Sequence, residues 1–199
     1  MRDDIRLKKQ QRIEQAAYDL LEEHGYEGIS MLKIAKRAKS SNETLYRWYG
    51  DKKGLFRSLV QNNARHVKEF LELDADENRP ALETLEVLGP RLLSLLVGDR
   101  AIALNRAAAG DPSGEVGQAL ALSGRDTVLP LIEDVFVRLC EKTAHPVSEA
   151  VKLAEVYLRL LVGDLQIRRV TGAISKPSKA VIAKRAEEAK ILILQMVNQ

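Results

Sequence analysis

The chain has 199 residues, of which 45% are hydrophobic, 30% charged and 5% aromatic, enough for one fair-sized domain or for a small and a medium one, each with its own core. Mean hydropathy is −0.21, and no apolar run reaches the roughly 18–20 residues of a membrane span. The charged opening MRDDIRLKKQQRIEQ lacks the apolar stretch of a signal peptide, and a single cysteine, Cys140, excludes an internal disulfide or a cysteine-rich metal site. A cytoplasmic protein without a membrane partner is expected.

The formal net charge of +3 (31 basic, 28 acidic) is unevenly spread. Residues 1–12 carry five basic and two acidic groups, residues 13–30 five acidic and no basic ones, and residues 31–57 eight basic and two acidic ones. Everything after residue 57 sums to 18 − 19 = −1. Positive charge concentrated near the N-terminus of a nearly neutral chain points to an anionic partner met by that region.

Helical periodicity runs throughout. Ile13, Ala16, Ala17, Leu20, Leu21 and His24 form an amphipathic stripe that Gly25 closes. Ser30 is placed to cap a short helix carrying Met31, Ile34, Ala35 and Ala38. Lys39–Asn42 reads as a tight turn into a second short helix, Glu43 to Tyr49. Asp51 can then cap a longer helix with Leu55, Leu59, Val60 and Val67. The polar stretch Leu73–Pro80 reads as a linker or loop. Further helices are expected over about 81–97, 101–109, 114–142, 147–171 and 179–197. Pro130 demands either a helix restart near Thr127 or a kink. Strand-length apolar/polar alternation is absent, so the fold class is all-α. The pentapeptide Leu-Leu-Val-Gly-Asp occurs at 95–99 and at 160–164, but its flanks do not repeat.

Two short helices joined by a tight turn inside the most basic segment form a helix-turn-helix signature. The second helix fits a major groove with its early side chains at base edges, while lysines and arginines neutralise phosphates.

The run Gly25-Tyr26-x2-Ile29-Ser30-x3-Ile34-Ala35-x2-Ala38-x2-Ser41-x2-Thr44-Leu45-Tyr46-x2-Tyr49-x2-Lys52-x2-Leu55-Phe56 resembles the N-terminal domain of the tetracycline-repressor (TetR) family, over about residues 8–60. The resemblance implies a helix-turn-helix DNA-binding domain over 1–57 and a helical effector-binding and dimerisation domain over 58–199. It also implies a homodimer, a near-palindromic double-stranded DNA operator, and a repressor that a small effector releases. By the same resemblance Lys33 is a contact from the supporting helix, Ser41, Asn42, Glu43, Thr44, Tyr46 and Arg47 are the recognition surface, and Lys52 is a phosphate contact. These residue types suit the roles: Asn42 can pair with adenine, Arg47 with guanine or phosphate, and Glu43 can accept from cytosine. A flexible basic arm, Arg2 to Arg12, could add further contacts. Lys39 stands where the family commonly has glycine, Ser40 where a small apolar residue is usual, Glu43 where a small residue or proline is frequent, and Trp48 where histidine or tyrosine is frequent.

By the same resemblance an effector pocket lies among the helices spanning roughly 60–170, with Leu92, Leu93, Leu96, Ile102, Leu104, Leu120, Phe136 and Leu161 as candidates for its wall. Few aromatic residues (three Phe, one Trp, five Tyr) and no buried-charge pattern point to an aliphatic or otherwise apolar ligand. Val128, Leu131, Ile132, Val135 and Leu139, with Val151, Ala154, Leu158 and Leu165, could form a four-helix dimer interface at ~1.5–3 kcal/mol per buried side chain. A ligand-independent regulator whose C-terminal half only dimerises is the alternative, and an all-α scaffold or enzyme a more distant one. Catalysis is not expected, because the sequence offers no nucleophile–base pair, phosphate loop or metal set. Neither cofactor nor metal is expected. His66 and Glu69 read as a surface pair, and Cys140 as a buried small hydrophobe.

Overall fold

The computed structural model describes residues 2–143 and 145–198, with the side chains of Arg2 and Asp3 outside the described atoms. It contains eleven α-helices among the described residues and no strand: α1 (Arg2–His24), α2 (Met31–Arg37), α3 (Asn42–Tyr49), α4 (Lys52–Asp76), α5 (Ala81–Leu96), α6 (Asp99–Ala109), α7 (Glu115–Leu120), α8 (Asp126–Glu141), α9 (Ala150–Val162), α10 (Leu165–Val170) and α11 (Lys179–Val197). Two compact units result. One comprises the residues up to Asn63 together with Ala103–Gly124; the other comprises Ala64–Ile102 together with the residues from Arg125 onward.

In the first unit the predicted caps form. Ser30 Oγ accepts the Lys33 amide at 3.2 Å and Ser41 Oγ the Thr44 amide at 3.2 Å, each satisfying one otherwise unbonded N–H of a helix start. Asp51 Oδ1 accepts the Gly54 amide at 2.6 Å. Gly25 takes the left-handed conformation, with φ +66°. The core joins Ile13 and Ala17 of α1 to Ile34 of α2, Leu45 of α3, and Leu55 and Leu59 of α4. The buried Tyr18 hydroxyl donates to the Leu59 carbonyl at 3.0 Å. Leu104, Ala107 and Val116 belong to the same core. This is why the unit takes in residues 103–124, which a single cut between residues 57 and 58 does not anticipate. The expected flexible arm is helical: α1 begins at Arg2 and runs unbroken.

The second unit packs α5, α8, α9 and α11 around Leu88, Leu93, Val135, Phe136, Ala154, Tyr157, Leu161 and Ile193. The stretch expected to be a linker is helical as far as Asp76, because Asp74 is a core residue. Its fully buried carboxylate accepts from Thr84 Oγ1 at 2.8 Å and from the Arg138 guanidinium at 2.7 Å, and that guanidinium also donates to the Arg79 carbonyl at 2.6 Å. A buried carboxylate persists only with such partners.

The run 147–171, expected as one helix, is broken. A 3₁₀ turn over Val147–Glu149 leads into α9, and Gly163 ends α9 with φ +50°. That left-handed conformation suits glycine, and a Cβ there would meet the Arg185 guanidinium. Both copies of Leu-Leu-Val-Gly-Asp lie where one helix ends and the next begins, between α5 and α6 and between α9 and α10. Pro130 lies in the second turn of α8, which follows a π-turn over Ala121–Arg125. Such a turn redirects a helix without ending its hydrogen bonding.

Candidate nucleic-acid interface

The turn between α2 and α3 closes α2 with a paired bond pattern. The Ser40 amide donates to the Ala35 carbonyl at 2.9 Å and the Lys39 amide to the Lys36 carbonyl at 3.2 Å, the Schellman arrangement, which requires a left-handed residue after the helix. Lys39 is that residue, with φ +49°, so the glycine usual there would relieve strain that lysine carries. The Ser40 hydroxyl is buried without a hydrogen-bond partner. The Ser41 hydroxyl, by contrast, caps α3 and lies 2.7 Å from Thr44 Oγ1.

The predicted contact residues divide by orientation. Glu43, Tyr46 and Arg47 of α3 are exposed, as is Lys33 of α2, and Tyr46 keeps 50% of its surface. Thr44 turns inward: it is 5% exposed, and its hydroxyl is held by Ser41 and by Lys9 Nζ at 3.2 Å. It orients α3 and does not present itself to a ligand. Asn42 is half-buried, its carboxamide oxygen without a partner. Lys33 Nζ donates to the Gly28 carbonyl at 2.7 Å. Lys52 Nζ donates to the Tyr26 carbonyl at 3.1 Å and stands 4.1 Å from the centre of the Tyr26 ring, a cation–π contact. The Lys52 ammonium has two further donors for a phosphate, and the first amides of α4 beside it lie at a helix N-terminus, which favours anions. Arg37, on the outer side of α2, is held by a paired hydrogen bond to Glu23 at 2.9 and 2.7 Å.

Trp48 is half-buried and has neighbours that the local pattern around it does not announce. The Arg6 guanidinium lies 5.7 Å and the Lys9 ammonium 5.6 Å from its ring centre. Ile5, Arg6, Lys9, Arg47 and Trp48 line a cleft of about 560 Å³. Basic charge in residues 1–12 signals such a contribution from α1, but nothing local in the sequence names Trp48 as its neighbour.

Of the pocket candidates, Leu92, Leu93, Phe136 and Leu161 share the core of the second unit, with Leu96 packed against it and Ile102 buried in the same unit. Leu104 and Leu120 belong to the first unit's hydrophobic cluster. Of the dimer candidates, Val128, Ile132, Val135, Leu139 and Ala154 are 0–6% exposed in the chain's own core. They have almost no surface left to bury against a second copy. Leu131, Leu158 and Leu165 are half-buried, and Val151 is 51% exposed.

His66 and Glu69 are 3.7 Å apart on an exposed helix face. No cluster of three or more metal-ligating side chains occurs among the described residues. Cys140 is buried, and burial pushes its thiol above the ordinary range. No helix among the described residues is long and apolar enough to cross a membrane.

Residues 13–59 match the family model for bacterial regulatory proteins of the tetR family. Over 96 residues the chain is 31% identical to the fatty acid metabolism regulator protein of Bacillus subtilis, spanning 48% of this chain and 50% of that one; it spans about half the length of the curated relatives it matches. A TetR-family transcriptional regulator of Mesorhizobium loti superposes with a TM-score of 0.75 at 22% identity, over 97% of this chain and 98% of that one. The transcriptional regulator FadR of Bacillus subtilis, in complex with stearoyl-CoA, superposes with a TM-score of 0.68 at 19% identity, over 92% and 96%. Residues 13–59 therefore form a module of the tetR-family type, and the chain as a whole shares the all-α fold of the regulators it superposes on.

Proposed function

We propose that the chain is a homodimeric, DNA-binding repressor that a small apolar effector releases from a near-palindromic operator. The observation that carries the DNA reading is the capped α2–turn–α3 pair, whose outer face presents Lys33, Glu43, Tyr46 and Arg47 to solvent within the matched module. The exposed face of α3 would enter a major groove, and a second copy would place its own α3 one helical turn away, ~34–36 Å. Homodimerisation is supported by apolar side chains left exposed on the second unit, Val151 of α9 with Leu192 and Met196 of α11.

An acyl thioester is the effector class best supported. The Bacillus subtilis regulator of similar fold was solved with stearoyl-CoA, and the second unit here is built on an aliphatic core. Such a ligand shifts DNA affinity only by its differential affinity for the two subunit arrangements.

The test is a mobility shift on DNA upstream of the chain's own coding region, across a salt series, with and without stearoyl-CoA. A dimer neutralising about eight phosphates gives a slope of log K on log salt near −7, with release by the thioester. Binding that no acyl thioester weakens would instead favour a ligand-independent regulator. Failure to select any duplex from a random pool would overturn the DNA reading itself.

A further inference from the structure

The loop between α6 and α7 is short, sharply turned and acidic. Within residues 110–116 the only charged side chains are Asp111 and Glu115. Asp111 builds the turn: its carboxylate accepts the Val116 amide at 2.8 Å and the Ser113 amide at 3.2 Å, and Gly114 takes the left-handed conformation with φ +74°. The Val116 amide, the Ser113 side chain and, more weakly, Lys53 hold the Asp111 carboxyl below the usual carboxylate range. Val116 is 2% exposed in the first unit's core, so Glu115, the residue before it, is fixed beside that core.

Glu115 is thereby set against the start of α4. Its carboxylate pairs with the Lys53 ammonium. Lys53 lies in the first turn of α4 next to Lys52, where a helix N-terminus favours anions. The loop's charge also reaches the surroundings of Lys52. Burial pushes the Tyr26 hydroxyl up to about 12, and the charges of Asp111, Asp51, Glu27 and Glu115 add to the rise; Tyr26 is the residue whose carbonyl and ring hold the Lys52 ammonium. All of these groups belong to the first unit. The Lys53 and Glu115 side chains are 45% and 55% exposed, so water and salt screen the pair and it exchanges readily. A carboxylate and a phosphate are both anionic acceptors, and two of them brought to one ammonium repel each other.

Resting on the DNA-binding reading above, we infer that the Lys53–Glu115 pair is an autoinhibitory contact: in the free chain Glu115 occupies the charge of Lys53, and duplex recruits Lys53 only by displacing Glu115. The contact reads no base. It limits the sequence-independent, phosphate-driven part of the affinity. It does so from residues 103–124, a segment of the first unit that lies outside the matched module.

The experiment measures binding to a random-sequence duplex of about 24 base pairs, roughly two helical turns, across a salt series. It compares the unsubstituted full chain with Glu115→Gln, Lys53→Gln and the double variant. Both positions are exposed, so the substitutions leave the core alone, and thermal unfolding checks this. Glu115→Gln should tighten binding by about two- to fivefold per bound chain, the worth of one exposed ion pair. It should also steepen the slope of log K on log salt by about one. On the Lys53→Gln background the same substitution should change neither quantity. If Glu115→Gln leaves affinity and slope unchanged, or weakens binding, duplex does not displace the pair and the inference fails while the DNA reading stands. If the tightening is as large on the Lys53→Gln background, Glu115 acts as a distant like charge and not through Lys53, and the inference fails. If none of these proteins binds any duplex, the DNA reading has failed and this inference with it.

Discussion

Two adjacent serines illustrate how narrowly local chemistry decides the sign of a substitution. Ser40 buries a hydroxyl with no partner, while Ser41 caps α3 through the Thr44 amide. Ser40→Ala removes an unsatisfied group and is expected to raise stability by about 1 kcal/mol, whereas Ser41→Ala strips the cap and costs about the same. Thermal unfolding of the two variants should move in opposite directions. Both serines are visible in the sequence, and the cap at Ser41 is readable from spacing alone. That Ser40 has no partner is not readable, because it depends on which atoms of the folded unit surround the turn. The same holds for Thr44, whose inward orientation follows from Lys9, thirty-five positions earlier.

At the level of elements, the glycines of α5 and α7 behave oppositely although both lie inside helices, where alanine is intrinsically favoured by about 1 kcal/mol. A Cβ on Gly89 would stand 2.8 Å from the Tyr157 hydroxyl and 3.0 Å from the Ala186 Cβ, whereas a Cβ on Gly117 meets nothing within 4 Å. Gly89→Ala should therefore destabilise by about 1–3 kcal/mol through overpacking, and Gly117→Ala should stabilise by up to ~1 kcal/mol. Chemical denaturation midpoints check both. The helices most legible from sequence are those with local punctuation: Ser30 and Ser41 at the starts of α2 and α3, and Gly25 after α1. The break between α9 and α10 is hidden in the sequence because Gly163 sits in an apolar run whose periodicity carries on across it. Asp74 is hidden for the converse reason. A carboxylate in a polar stretch looks solvated until Thr84 and Arg138, ten and sixty-four positions away, are seen to meet it.

For the whole molecule, the proposed dimer makes the remaining prediction. Sedimentation velocity should show the unsubstituted chain as a dimer. Val151→Asp, on an exposed position of α9, should shift it toward monomer while leaving its helical circular dichroism intact. Ile132→Asp, 2% exposed in the core, should instead unfold the chain, since an unpaired buried charge has no compensation. Apolar periodicity alone does not separate these cases: it marks every apolar face of α8 and α9, whether turned to the chain's own core or to solvent. A two-domain division is legible in the sequence only through the family resemblance of about residues 8–60. The recruitment of 103–124 into the first unit is not, because it depends on Leu104, Ala107 and Val116 meeting residues far earlier in the chain.

That recruitment bears on the order in which the protein can be made. The general rule that an N-terminal module folds first, as soon as it leaves the ribosome, gives a different expectation for this chain. The residues up to Asn63 still lack the side chains of Leu104, Ala107 and Val116 that complete their core. The core of the matched module is thus complete only after about sixty further residues have been translated, and until then its helices have an uncovered apolar flank.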